Sequence, residues 1–249
     1  MTSLIPRGDR AGRRPPEPAS VIGIDVVTPG VRRLTLGGEA VRERLAAGPI
    51  AAASWLKVFA PESNGRAYTI REHDPVAGTI AIDFVLHAES GERSVATWAR
   101  HARAGDTVHI GGLRNGEFAL LADSRWIRIA VDPSALPAAQ TILKTLPAHV
   151  TAYVTVNVSD LNERQPLHAA GPLEQTWLYG TDVPPAPATA LMSSAAGQAW
   201  IAGESGWVKQ TKARTLLSGT LEEARIVAKG YWKIGESGHR EHSRQGHRR

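Results

Sequence analysis

Cysteine is absent from this chain of 249 residues. Disulfides, thiolate metal sites and iron–sulfur clusters are thereby excluded, and a cytoplasmic setting is favoured. Long apolar runs are missing too. Pro, Gly or charge interrupts each one well before the ~18 residues a membrane helix needs, so no membrane insertion is expected. The opening Met1-Thr-Ser-Leu-Ile-Pro6 lacks the apolar core of a signal peptide. The commonest catalytic signatures are absent as well: there is no Gly-Lys-Ser/Thr phosphate loop, no Gly-x-Gly-x-x-Gly fingerprint and no His-Glu-x-x-His. Gly203-Glu-Ser-Gly-Trp207 resembles a nucleophile elbow, but Trp207 stands where the final Gly belongs. No Asp and His in suitable order support it. His239, His242 and His247 sit in a terminal stretch without defined ligand spacing, and no metal site is expected.

Charge of one sign is missing from the body of the chain. The formal charge is +5, from 29 Lys and Arg against 24 Asp and Glu. The excess lies at the ends. One end holds Arg7, Arg10, Arg13 and Arg14 against Asp9 and Glu17; the other holds Arg240, Arg244, Arg248 and Arg249 against Glu241. Between them, residues 18–238 balance. A nucleic-acid partner therefore loses its electrostatic basis. The ends, 1–20 and 239–249, are expected to be solvated, disordered tails.

What is present falls into two rhythms. From Val21 to Ile110 the chain reads as short strands with one helix. Val21–Thr28 and Val31–Leu36 flank the turn pair Pro29-Gly30, and Trp55–Phe59, Arg66–Arg71, Thr79–Leu86 and Thr107–Ile110 follow. In Thr79–Leu86, Ile80, Ile82, Phe84 and Leu86 share one face. Val95, Trp98, Ala99 and Ala102 recur at helical spacing. Many short strands with one helix point to an antiparallel barrel or sandwich. Near Asp123 strands and helices begin to alternate. Trp126–Val131 leads into Asp132-Pro133, an N-cap followed by Pro at the first helical position. Leu136, Ala139, Ile142, Leu143 and Leu146 then form one stripe. Val150–Val158, Thr176–Tyr179, Ala199–Ala202 and Arg225–Lys229 are further strands, and Ser205–Leu217 has helical composition. This pattern predicts βαβ units on a parallel sheet. The expected organisation is a barrel over 21–122 and an α/β domain over 123–238.

Arg66-Ala-Tyr-Thr-Ile-Arg71 carries the most chemistry. Arg66 and Tyr68, two apart on a strand, project from one face. A guanidinium fork suits a pyrophosphate, a Tyr ring offers a stacking surface, and Thr69 adds a small donor and acceptor. Without further context the same stretch is also an ordinary amphipathic strand.

Context comes from six short segments in order: Arg66-Ala-Tyr-Thr-Ile-Arg71, Asp83-Phe-Val-Leu-His87, Trp98-Ala99 with Gly105-Asp106, Ala135-Leu-Pro-Ala138, Ala202-Gly-Glu204 and Gly230-Tyr-Trp-Lys-Ile-Gly235. Over about Val21 to Gly235 the chain resembles the siderophore-interacting protein family of flavin-dependent ferric-siderophore reductases, within the ferredoxin-reductase superfamily. The resemblance implies an antiparallel Greek-key flavin-binding barrel followed by a Rossmann-like parallel α/β nicotinamide-binding domain. It implies that Arg66 contacts the FAD pyrophosphate, that Tyr68 packs on the isoalloxazine and that Thr69 lies near flavin N5, with Ala67 between them. Asp83, Val85 and His87 would line the flavin. Ser94, Ala96 and Thr97 would form the phosphate-binding helix start. Asp132, Ala135, Gly203 and Glu204 would contact NAD(P)H.

Three departures stand out, one of them the Ser-Gly-Trp-Val that follows Gly203-Glu204, with Gly206 and Trp207 in a turn the family fills with smaller aliphatics. Arg93-Ser94 replaces the family's Gly-Pro before the phosphate helix, a change that backbone N–H groups and the helix dipole tolerate. Val131-Asp-Pro133 replaces Gly-Asp-Glu, and losing that Gly restricts close backbone approach by a ligand. The activity implied is a cytoplasmic, monomeric FAD-dependent reductase passing electrons from NAD(P)H to a ferric siderophore. Such chelates are often anionic, and Lys57 and Lys233 are the candidate cations that would dock one. Two other readings stay open: a nicotinamide–flavin reductase serving free flavin or a carrier protein, and a non-enzymatic protein that binds flavin or an iron chelate.

Overall fold

A computed structural model of the chain describes residues 15–86, 94–116, 118–180 and 196–236. His87, Arg93, His239, His242, His247 and the arginines of both ends lie outside the described residues. The first half contains β1 (Glu17–Thr28), β2 (Val31–Gly37), α1 (Glu39–Ala46), β3 (Trp55–Phe59), β4 (Arg66–Thr69), β5 (Glu72–Asp74), β6 (Thr79–Val85), α2 (Val95–His101) and β7 (Thr107–Arg114). The strands form one antiparallel sheet in the order β4-β3-β7-β1-β2-β6-β5. The two ends of that order, β4 and β5, are joined by only Ile70 and Arg71, so the sheet must curl. Arg71 N–H donates to the Ala81 carbonyl of β6 at 2.8 Å and draws the edges together. Leu34, Leu36, Leu56, Val58, Ile82 and Phe84 fill the interior.

Several expected boundaries move, each for a local reason. Glu17–Ser20, assigned by composition to a tail, extend β1 and pair with Thr107–Ile110. The strand read as Arg66–Arg71 stops at Thr69, and Glu72–Asp74 forms a separate strand on β6. β7 does not end at Ile110. It runs through Gly111-Gly112, where Gly112 takes φ +62° and the register against β3 slips by a residue, as at a β-bulge. Helix α1 has no sequence forecast, because it starts at Gly38 with no side-chain cap and so lacks the Ser/Thr/Asp/Asn signal.

The second half contains β8 (Trp126–Val131), α3 (Leu136–Thr145), β9 (Thr151–Val158), a 3₁₀ turn (Leu161–Glu163), β10 (Leu173–Tyr179), β11 (Gly197–Glu204), α4 (Ser205–Leu217) and β12 (Ile226–Trp232). Its five parallel strands run in the order β10-β9-β8-β11-β12. β8 is buried at every residue, as a central parallel strand covered on both faces must be. Helix α3 begins at Leu136 rather than at Pro133. Asp132 closes its own turn first: Oδ1 accepts from Ser134 N at 2.9 Å and Ala135 N at 3.3 Å. The capping carboxylate thus acts one turn ahead of the helix.

The two sheets meet along α3. Ala53 N donates to Thr141 Oγ1 at 2.9 Å, and Arg71 Nε to Gln140 Oε1 at 2.6 Å. Ala53, from the first half, is buried in the core beneath α3. Among the described residues, no helix is long and apolar enough to cross a membrane.

Candidate functional site

β4 is the edge strand of the first sheet, and its pairing with β3 sorts its side chains. Val58 lies opposite Arg66, Leu56 opposite Tyr68, Lys57 opposite Ala67 and Trp55 opposite Thr69. Directly paired residues share a face. Arg66 and Tyr68 therefore project from the face of Leu56 and Val58, and Lys57 shares the other with Ala67 and Thr69. A ligand laid along this edge meets both sets.

The Tyr68 ring rests on Phe84 with centroids 4.5 Å apart, and Phe84 meets Trp98 of α2 edge-on at 6.3 Å. These three rings tie β4 through β6 to the start of α2. Burial pushes the Tyr68 hydroxyl well above its ordinary value, and the Arg66 charge pulls it partly back. Ser94 caps α2: its Oγ accepts from Thr97 N at 3.0 Å. Ala96 and Thr97 are half-buried in the first turn. At the other end of α2, Arg32 donates to the Ala99 carbonyl at 2.9 Å and to that of Arg100, a cation placed where the helix dipole favours one. The edge strand thus presents a flat ring and a guanidinium, linked by packing to a capped helix start. Those groups fit a planar ring system bearing a pyrophosphate.

Asp83 is differently engaged. It is buried, and Arg33 grips its carboxylate with Nε–Oδ1 2.6 Å and Nη2–Oδ2 2.9 Å. That bond raises the Arg33 guanidinium above its usual value. Arg71, beside them, is lowered, first by burial and then by the charge of Arg33. Val85 is half-buried opposite Val31 at the end of β6.

On the second sheet, strand order reverses at β8, whose neighbours β9 and β11 lead away in opposite directions. Ligands of open α/β sheets bind in the crevice outside the carboxyl ends at such a point. Asp132, Ala135, Gly203 and Glu204 all lie there. Asp132 is buried, and its carboxyl is pushed above the usual range by that burial, with the surrounding donors acting the other way. Ser134 Oγ joins the two amides on Oδ1 at 2.6 Å, and Oδ2 accepts from Glu204 N at 2.8 Å and Trp232 Nε1 at 2.8 Å. Ala135 is fully buried against the core. Gly203 has φ +144°, and a Cβ there would lie 2.5 Å from Asp132 Cγ. Glu204 caps α4, accepting from Trp207 N at 2.8 Å. Val131, where the family favours Gly, is buried in the core beneath α3. Ser205 is buried, and its hydroxyl donates to the Trp232 carbonyl at 3.0 Å, so the elbow-like segment presents no nucleophile. Lys233 follows β12 and pairs with Glu236; it therefore sits on a different sheet from Lys57.

Both halves match models of one family. Residues 124–235 match the model described as siderophore-interacting protein, and residues 48–116 match the siderophore-interacting FAD-binding domain. The chain belongs to the siderophore-interacting protein family. It is 28% identical over 234 residues to the mycobactin import ATP-binding/permease protein IrtA of Mycolicibacterium smegmatis, covering 88% of this chain and 26% of that protein. The family member thus spans about a quarter of that relative's length. It is also 28% identical over 193 residues to the ferric vibriobactin reductase ViuB of Vibrio cholerae, covering 73% of this chain and 69% of ViuB. Among solved structures, the siderophore-interacting protein of Acinetobacter baumannii superposes with a TM-score of 0.73 at 18% identity, over 90% of this chain and 93% of that one. A ferredoxin NADP+ reductase from Neisseria gonorrhoeae with bound FAD and NADP superposes at 0.62 and 14% identity, over 86% and 98%. The fold is that of the ferredoxin reductases: an antiparallel, barrel-like sheet followed by a parallel α/β sheet.

Sequence reasoning missed Arg33, Ser134 and Trp232. The signal for Trp232 was available, since an indole N–H taken from water needs an acceptor. The partners of Arg33 and Ser134 are set by folding, and no local pattern announces them.

Proposed function

We propose that this protein binds FAD along β4 and the start of α2, accepts hydride from NAD(P)H held at the carboxyl ends of β8 and β11, and passes electrons to a ferric siderophore, releasing Fe(II). We place it in the cytoplasm, acting as a monomer, with a barrel over 21–122 and a nucleotide domain over 123–238. The observation that carries the reading is the continuity from Arg66 and Tyr68 through Phe84 and Trp98 to the capped start of α2, on a stretch matching an FAD-binding domain. When bound, FAD supplies the redox chemistry, taking two electrons together and releasing them one at a time.

The protein's own residues bind and orient. Tyr68, its hydroxyl raised by burial, stays protonated and offers a neutral stacking face. Arg66 bonds two pyrophosphate oxygens through its planar fork. Thr69 and Ala67 lie along the reacting edge. Ser94 takes up the Thr97 amide, and the preceding first-turn amides at Val95 and Ala96, which have no acceptor within a helix, face the phosphates. With its carboxylate engaged by Arg33, Asp83 contributes backbone, as does Val85. Asp132 shapes the nucleotide crevice rather than meeting the ligand as a charge. Gly203 admits Asp132, and Glu204 holds the start of α4, so NAD(P)H meets chiefly backbone around Ala135 and Gly203. Siderophores hold Fe(III) through hard oxygens, and the softer Fe(II) is held less tightly, so reduction frees it. Lys57 and Lys233 attract the anionic chelate.

The test is a spectrum followed by two half-reactions. The purified protein should show an oxidised-flavin spectrum, bleach under NADH or NADPH without oxygen, and recover its colour on adding a ferric siderophore. Bleaching without recovery would instead indicate free flavin or a carrier protein as acceptor. A bound flavin that neither nucleotide bleaches would indicate a non-catalytic binding protein.

A further inference from the structure

Glu163 ends the 3₁₀ turn that follows β9, yet its side chain is buried against the other sheet. Oε2 accepts from Thr28 Oγ1 at 2.5 Å and Oε1 from Gly30 N at 2.8 Å, across more than 130 residues of sequence. Both partners belong to the β1–β2 hairpin turn. A Cβ at Gly30 would lie 2.9 Å from either carboxylate oxygen, so glycine is what lets the carboxylate sit against the turn. The same turn holds the end of β6, because the Gly30 carbonyl accepts from Leu86 N at 2.8 Å. Leu86 in turn offers its carbonyl to Arg100 of α2 at 3.2 Å. One side chain of the second sheet thereby reaches, through three contacts, the helix assigned above to the FAD pyrophosphate.

Gln165, two residues on, reaches the first sheet only through a relay. It is buried, and Gln140 Nε2 donates to Gln165 Oε1 at 3.4 Å and to the Pro166 carbonyl at 3.2 Å, while Gln140 Oε1 accepts from Arg71 of the first sheet. Arg164, between them, is exposed and turns the other way, onto Tyr179 and Trp177. Of residues 163–165, Glu163 alone thus bonds the first sheet directly, and Gln165 is linked to it through Gln140.

We infer that Glu163 is a positioning residue: it fixes the hairpin turn of the first sheet to the second, so that flavin and nicotinamide meet at reacting distance. This inference rests on the function proposed above. Hydride transfer tolerates little misplacement; an error of about 1 Å at a reacting centre slows a reaction about 10²-fold. Glu163 lies outside the parts of both sheets assigned to cofactor contact, so its removal should spare binding and slow transfer.

The test compares wild type, Glu163→Ala, Glu163→Gln and Thr28→Val, each as the full chain. Glu163→Ala should reduce the rate of flavin bleaching by saturating NAD(P)H about 10²-fold, with FAD affinity within about threefold and bleaching by dithionite unchanged. Glu163→Gln should recover most of the rate, since its amide oxygen accepts from Gly30 N and its N–H2 donates to the Thr28 hydroxyl oxygen. Thr28→Val, which removes one of the two contacts from the other side, should fall between. Residual dipolar couplings of the backbone amides give a readout independent of activity. Both sheets should fit one alignment frame in wild type and Glu163→Gln, and need two in Glu163→Ala. A Glu163→Ala protein that melts earlier but keeps its bleaching rate and its single frame would overturn the inference. If wild type is itself not bleached, the proposed function fails, and the alignment frames alone decide the role of Glu163: one frame kept overturns it, two frames support it.

Discussion

Trp232 Nε1–H donates to Asp132 Oδ2 at 2.8 Å, joining residues 100 apart in sequence. The same oxygen takes the Glu204 amide, and Oδ1 takes Ser134 and Ala135. One carboxylate therefore ties the carboxyl ends of β8, β11 and β12. All of its partners donate, and that fixes what the position tolerates. An amide in its place would turn an N–H2 group onto backbone or indole N–H groups whichever way it is flipped.

Asp132→Asn should therefore destabilise the protein by about 2–3 kcal/mol, the scale of a buried donor left unsatisfied. The midpoint of urea unfolding measures this, with the flavin spectrum of the refolded protein as a check on the first sheet. A midpoint equal to wild type would mean that the crevice rearranges freely around residue 132.

The same knot shows why some of the site was legible in sequence and some was not. Arg66, Tyr68 and Thr69 could be read because their chemistry lies within one strand, where alternation is a local property. Ser94 could be read because a cap acts over three residues, as the Ser94–Thr97 bond does. Asp132 is legible in sequence as a cap at its own turn. Its cap to a helix was expected, whereas its bonds to Glu204 and Trp232 exist only once three strands are side by side. At Gly203 the motif is legible in sequence, but the Asp132 carboxylate that a Cβ there would meet is set only by the fold. Glu163 had no signal at all, because its partners lie in the opposite half of the chain.

Tyr68 yields a pH prediction. Burial raises its hydroxyl in the folded state above the ~10 of an unfolded chain. A raised group contributes stability that is complete below the unfolded value and is lost as pH rises through and beyond it. Stability should thus fall above about pH 10, and Tyr68→Phe should fall less over the same range. In absorbance at 295 nm, one of the four tyrosines should ionise only on unfolding, and that late phase should vanish in Tyr68→Phe. A native protein in which all four titrate together near 10 would contradict the buried ring.

Arg66→Ala should weaken FAD retention by ~1.5–3 kcal/mol, the loss of one charge-assisted contact. Equilibrium dialysis followed by flavin fluorescence measures it. FAD affinity equal to wild type would make Arg66 an ordinary half-buried cation.

The acceptor side turns on Lys57 and Lys233, which the fold treats differently. Lys57 shares its face of the sheet with Thr69, next to the edge where the flavin is proposed to lie. Lys233 is exposed, and Glu236 already neutralises its charge. Exposed pairs of this kind are worth only about 0–1 kcal/mol, so an anionic chelate can displace Glu236. Lys57→Gln/Lys233→Gln should therefore raise the KM for ferric siderophore while bleaching by NAD(P)H stays normal. Lys57→Gln should carry most of that effect. Glu236→Gln should act in the opposite direction and lower KM, because it frees the Lys233 charge. Attraction at an exposed site is screened, so added salt should raise KM in wild type and do less in the double variant. Stopped-flow measurement of the two half-reactions separates these outcomes. Slower bleaching with normal recovery would put the lysines on the nucleotide side, and no change in either step would leave them as solvated surface groups.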